Sequence, residues 1–309
     1  MTHGVPQGSI LGPILFLIFI NDFPDSTDFF KFTLFADDSS LLCKFDHSNI
    51  SLIHTTISSN LTKVFKWLTL NKIKVNVDKC KFIIFSYGRK LTLPPLVLGD
   101  GFIMETDSYK FLGIILDKKL NFKNHLVLLK SKISKTVGLL YKLNKFLPET
   151  ILKSLYQTLV QPYLTYGIEA WFSAPNCLTD KIFVLQKKSI RAILNLHYNC
   201  HTNQYFKYLN LLKLSDLYKV NLMVFFYSSL NLGMNRNVSV YMQTHADTHS
   251  HNTRNRNKLK IPLAHKAHTQ RSFLHRGINE WNSLPEIITK SSSTIILRKN
   301  LKTLYLSCY

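Results

Sequence analysis

Acidic residues are scarce in this 309-residue chain: 18 Asp and Glu stand against 39 Lys and Arg, a formal net charge of +21. Such a deficit implies a polyanionic partner, either nucleic acid or an anionic membrane surface. Long apolar runs are also missing. The longest, Ile14 to Ile20, reads as a buried helix and falls well short of the roughly 18 residues a membrane-spanning helix needs, so nucleic acid is expected as partner and a membrane is not. The five cysteines (Cys43, Cys80, Cys177, Cys200 and Cys308) are scattered and odd in number, with no Cys-x-x-Cys pair. That pattern excludes a disulfide framework and a ribbon-type zinc site. His197, Cys200 and His201 lack a fourth spaced ligand and read as a polar loop. No basic lead followed by an apolar core and a small-residue cleavage site opens the chain, so the expected setting is intracellular, in nucleus or cytoplasm.

What is present is enough apolar material for folded cores: 46% of residues are hydrophobic and 12% aromatic. The length suits one large or two modest domains. Around Phe35-Ala36-Asp37-Asp38, apolar residues alternate from Lys31 to Lys44, predicting two short strands with the acidic pair at their turn. Neighbouring residues of a hairpin point to opposite faces, so only one of the two carboxylates can face a given site squarely. A carboxylate held at such a turn suits a hard cation such as Mg²⁺, although Asp and Ser also favour ordinary turns. Upstream, Gly4-Val5-Pro6-Gln7-Gly8-Ser9-Ile10-Leu11-Gly12-Pro13 is a glycine-rich loop running into an apolar helix, with either Ser9 as its N-cap or Pro13 marking its first turn.

The loop, the run Phe16 to Asp22 and the acidic turn together resemble motifs B and C of reverse transcriptases, most of all those of jockey-like non-LTR retrotransposons. The resemblance implies an α+β fold: a partial reverse-transcriptase palm of β-hairpins packed on helices, then a mainly helical thumb and C-terminal region. The expected regions are residues 1–116 (palm), 117–200 (basic thumb) and 201–309 (basic C-terminal segment). It implies that Asp37 and Asp38 are catalytic and metal-binding, that Phe35 packs in the palm, and that Gln7, Gly8 and Ser9 lie against template and nucleotide. The helical face Ile57, Leu61, Val64, Phe65 and Leu68, a break at Asn71, an alternating strand at Ile73, Val75 and Val77, and a second strand at Phe82–Phe85 follow. With Trp67, Asn71 and Asn76 these resemble motif D, whose lysine would protonate or neutralise the leaving pyrophosphate. Lys79 is the first choice, with Lys74 and Lys81 as rivals. Tyr109 to Ile114 resembles motif E, making Phe111, Leu112 and Gly113 the primer grip.

Residues 118–153 carry nine lysines and one acid, Glu149, above an apolar stripe of Leu126, Leu129, Ile133, Val137, Leu140 and Leu143. An idle surface intersperses both signs, so Lys130, Lys132 and Lys135 are expected to contact phosphates. Helices are expected at Leu152–Tyr166, Thr179–Leu196 and Leu209–Leu230. Pro162, Tyr163, Tyr166, Gly167 and Trp171 fit a pattern seen in the thumbs of these elements, for which core packing is a sufficient reason. Residues 251–309 hold 11 Lys and Arg against 2 Asp and Glu, with Arg254, Arg256 and Arg271 as candidate phosphate forks. Trp281, before a Leu-Pro turn, reads as a core plug in preference to a base-stacking platform.

The implied activity is RNA-directed DNA synthesis with an RNA template, a DNA primer, dNTPs and Mg²⁺. Two-metal transfer needs carboxylates from at least two chain segments. Motif A, which supplies the others in the family, and the fingers are not in these residues. The expectation is therefore an N-terminally truncated chain inactive by itself. Alternatives are a non-catalytic nucleic-acid-binding remnant using thumb and tail, and a decayed reading frame that exposes Phe16, Phe19 and Phe32. Oligomeric state is left open.

Overall fold

A computed structural model describes residues 8–45, 49–86, 91–234, 238, 240–247 and 256–309. The fold is α+β, with helix predominating. The chain divides into two compact units, Met1–Tyr109 and Lys110–Tyr309.

The first unit opens with helix α1 (Leu11–Ile20), whose first turn is tied by the Ser9 hydroxyl, which accepts from the Gly12 N–H at 3.1 Å. Strands β1 (Lys31–Phe35) and β2 (Asp38–Leu42) pair antiparallel. Helix α2 (Ile50–Leu70) follows, its start capped by the Asn49 side chain, which accepts from the Leu52 N–H. It buries Ile53, Ile57, Leu61, Val64 and Leu68 on one face, as the 3.6-residue spacing predicts, and ends at Asn71. A second sheet has the order β3 (Lys81–Phe82), β5 (Gly101–Glu105), β4 (Leu96–Leu98), with β4 and β5 joined by the Gly99-Asp100 turn. Phe23 anchors the unit's core. Its ring meets Phe32 edge-on at 5.1 Å and Trp67 at 4.8 Å.

Three expectations fail here. Ile73, Val75 and Val77 do alternate between core and solvent, but no strand ladder forms there, and Val77 begins a short 3₁₀ turn. Alternating polarity fixes which residues face inward and cannot supply a partner strand. The second strand shrinks to Lys81–Phe82. Helix α1 is not buried: Ile20 alone is fully covered, and Leu11, Ile14, Leu15, Leu17, Ile18 and Phe19 are exposed. A helix apolar on every side needs neighbours on every side, and the first unit covers only one of them.

The second unit begins within the hairpin of β6 (Ser108–Phe111) and β7 (Ile114–Asp117). Helices α3 (Lys123–Leu143), α4 (Glu149–Leu159), α5 (Gln161–Thr165), α6 (Ile168–Trp171), α7 (Asn176–Ile193), α8 (Asn203–Tyr208) and α9 (Leu214–Asn231) follow. The last are α10 (Ala267–Gln270), α11 (Phe273–Ser283), α12 (Glu286–Thr289) and α13 (Thr294–Ser307). One core runs through them, with Ile133, Leu140, Trp171, Ile182, Phe226 and Leu297 almost wholly removed from water. Gln186 is the polar bolt of that core. Its side-chain amide donates to the Tyr156 hydroxyl and the Leu212 carbonyl, both at 2.9 Å, and accepts from the Leu214 N–H at 2.8 Å. All hydrogen-bonding sites in this buried group but one are used, which is what makes its burial tolerable. Trp281 packs against this core, and Asn282 holds both the N–H and the carbonyl of Leu259. The Trp281-Asn282 stretch is therefore a structural clamp.

Candidate functional site

The acidic turn is a two-residue hairpin connection. Phe35 pairs with Asp38, leaving Ala36 and Asp37 as the central residues. Ala36 has φ +49°, a conformation usually left to glycine at this position of a tight hairpin. A non-glycine residue there costs about 1–2 kcal/mol, so the turn stores a small strain directly before Asp37. The register places Phe32 and Leu34 toward the unit's core, and Phe35, Asp38, Thr33 and Ser40 on the opposite, open face. Asp37 lies at the tip and is exposed, as is Asp38. Phe35, expected to pack inward, is 62% exposed, because the strand period puts it on the same face as Asp38. The geometry thus separates the two carboxylates, one at the tip and one on the outer face.

Lys79 is exposed and ends the 3₁₀ turn Val77–Lys79, and its rivals Lys74 and Lys81 are exposed as well. Beside them, burial pushes the Cys80 thiol upward, an effect Lys81 opposes. Gly8 has φ +84° with open space where a side chain would stand; the N-cap position of α1 is Ile10 and not the expected Ser9, whose hydroxyl one residue earlier accepts from the Gly12 N–H. Gln7 and Arg254 fall outside the described residues.

In the second unit Phe111, Leu112 and Gly113 form the end of the β6–β7 hairpin, with Leu112 and Gly113 as its central turn residues at φ +46° and +84°. Helix α3 exposes Lys130, Lys132 and Lys135, with the predicted stripe from Leu126 to Leu140 buried beneath. None of the three lysines has a carboxylate partner among the described residues; Lys132 lies 5.4 Å from the Tyr163 ring centre. Arg256 is exposed, and its carbonyl accepts from the Ala246 N–H. Arg271 is half-buried, with Nε shielded from water and unbonded. The Cys200 thiol sits near the Tyr205 hydroxyl, and Arg191 donates twice to the Cys200 carbonyl.

Two contributors escaped the sequence patterns. Asp117 accepts from the backbone N–H groups of Lys119, Asn121 and Phe122 at 3.1, 3.2 and 2.7 Å and so shapes the entry to α3. Tyr166, expected to pack in the core, is instead exposed and reaches the β6–β7 turn. A lone Asp six residues before a helix could have hinted at the first; nothing local to Tyr166 signals its distant partner.

Residues 1–116 match the family described as "Reverse transcriptase (RNA-dependent DNA polymerase)". An exposed carboxylate pair on a hairpin inside that region therefore belongs to reverse-transcriptase sequence. The relatives narrow the class further. The chain is 28% identical over 227 residues to the "RNA-directed DNA polymerase from mobile element jockey" of Drosophila melanogaster, covering 70% of this chain and 24% of that one. To the protein of the same name from Drosophila funebris it is 30% identical over 203 residues, 62% of this chain and 22% of that one. To the "Probable RNA-directed DNA polymerase from transposon BS" of Drosophila melanogaster it is 30% identical over 209 residues, 64% and 23% of the two chains. The chain is a relative of the reverse transcriptases of jockey-like non-LTR retrotransposons, and it spans about a quarter of their length. No solved structure matches it significantly.

Reverse transcriptases in general use a divalent metal. Asp37 and Asp38 offer hard oxygen donors of the right kind. Among the described residues, however, no group of three His, Cys, Asp or Glu side chains gathers to hold an ion. Asp37 and Asp38 by themselves do not enclose a cation.

Proposed function

We propose that these 309 residues are the motif B–E, thumb and C-terminal part of an RNA-directed DNA polymerase from a jockey-like element. They would handle an RNA template and a DNA primer, with dNTPs and Mg²⁺ engaged only when further carboxylates complete the site. The observation that carries this reading is the Asp37–Asp38 hairpin turn inside the reverse-transcriptase match. Asp37, at the tip, is the metal ligand in this reading; Asp38, on the outer face, contributes charge. Lys79 is the proposed general acid, Gly8 and Ser9 with Gln7 the template-side loop, and Phe111–Gly113 the primer grip. Residues 1–116 act as palm, 117–200 as thumb and 201–309 as basic tail. By themselves the 309 residues do not polymerise, since ligands that work as a unit fail together.

A second reading, a nucleic-acid clamp without catalysis, is favoured by the exposed Lys130, Lys132 and Lys135, which have no carboxylate partner among the described residues. Both readings require phosphate binding, measured by titrating salt against affinity for an RNA–DNA primer–template. Each phosphate contact contributes a slope near −0.9 in the log–log plot on a duplex. Changing the three lysines to Gln is expected to flatten the slope by about 2–3 units. A wild-type affinity indifferent to salt would contradict both readings.

A further inference from the structure

We propose that Tyr166 is a positioning residue that pins the tip of the β6–β7 hairpin, and so sets the place of the primer's 3′ end. The second half rests on the primer-grip reading above; the first rests on geometry alone.

The tip is a strained object. Leu112 and Gly113 both have positive φ, +46° and +84°, the pattern of a two-residue type I′ turn. Glycine adopts that conformation freely, whereas leucine does so at a cost of about 1–2 kcal/mol. Strain of this kind persists only where the surroundings hold it. Here the holder is Tyr166. Its hydroxyl donates to the Leu112 carbonyl at 2.5 Å, and its ring edge would stand 3.4 Å from a Cβ placed on Gly113. The sequence separation is 54 residues, so the contact joins the hairpin to the segment after α5.

Tyr166 is itself fixed from behind. The indole N–H of Trp171, a side chain with no exposure, donates to the Tyr166 carbonyl at 2.9 Å. Gly167 then turns the chain at φ +58°, and a Cβ there would fall 2.2 Å from Ile114 Cδ1, the first residue of β7. Tyr166 and Gly167 thus grip the hairpin end from two directions. The phenol is 59% exposed, so burial does not explain its position; the hydrogen bond and the ring contact do. A hairpin tip that must hold a sugar-phosphate strand to within about half an ångström needs such support from a rigid neighbour.

The test compares the 309-residue chain with its Tyr166→Phe variant by amide exchange at residues 112–114, thermal midpoint, and affinity for a recessed 3′ end relative to blunt duplex. Loss of the hydroxyl is expected to raise exchange at the tip about 5-fold, the equivalent of about one hydrogen bond, with little change in midpoint. The preference for the recessed end should fall while blunt-duplex affinity stays. Gly113→Ala, which is strained at φ +84° and so loosens the tip from its own side, should do the same, and Tyr163→Phe should change none of these. Unchanged exchange at the tip in Tyr166→Phe would overturn the pin. Raised exchange with an intact end preference would leave the pin standing and overturn its role in placing the primer.

Discussion

His125 shows how much a single buried residue can reveal about conditions. It sits on α3 with 6% of its surface exposed, its ring 6.3 Å from that of Trp171 and its Nδ1 facing the Ile115 N–H at 3.5 Å. Burial first, and the nearby Lys132 charge second, hold its pKa below the ordinary histidine value. Nδ1 can accept only while unprotonated. The folded form therefore takes up a proton less readily than the unfolded chain. Its contribution to stability is complete above the unfolded value, about 6.5, and declines as pH falls below it. Thermal midpoints between pH 7.5 and 5 should drop for the wild type and drop less for His125→Gln. A drop of the same size in both would show that another group governs the acid limb.

Among elements, the entry to α3 is set by charge-assisted hydrogen bonds that no helical periodicity announces. Asp117 collects three N–H groups, among them that of Phe122, a buried residue at φ +55°. Asp117→Ala leaves those donors without their acceptor and should cost about 1–3 kcal/mol, read as an earlier urea midpoint with unchanged slope. An unaltered midpoint would mean that water replaces the carboxylate without loss. Helices α2 and α3 were legible because five or six apolar residues at helical spacing leave only one face to bury. The acidic hairpin was legible because alternation on both sides of Ala36-Asp37 demands a turn there. Ile73–Val77 misled because the alternation is real in burial and nevertheless finds no ladder partner. Helix α1 misled in the opposite way: its composition says buried, while the first unit supplies contacts only around Phe16 and Ile20. The Tyr166 contact lay beyond any local pattern, since it depends on a residue 54 positions away.

For the whole molecule, the two units differ in how completely each covers its own apolar surface. The second unit has a continuous core, a buried polar bolt at Gln186 with three hydrogen bonds and an exposed lysine face on α3. The first unit carries the carboxylate turn on a two-stranded hairpin, with an apolar helix beside it in the sequence that stays largely uncovered. The proposed function assigns binding to the lysines, and chemistry to Asp37 and Asp38 only together with further carboxylates. Primer extension on an RNA template by the purified 309-residue chain with Mg²⁺ and dNTPs tests that separation most directly. No incorporation is expected from wild type or from Asp37→Ala, under conditions where both hold the primer–template. Extension by the wild type that Asp37→Ala abolishes would contradict it, and would mean that these residues close the metal site unaided.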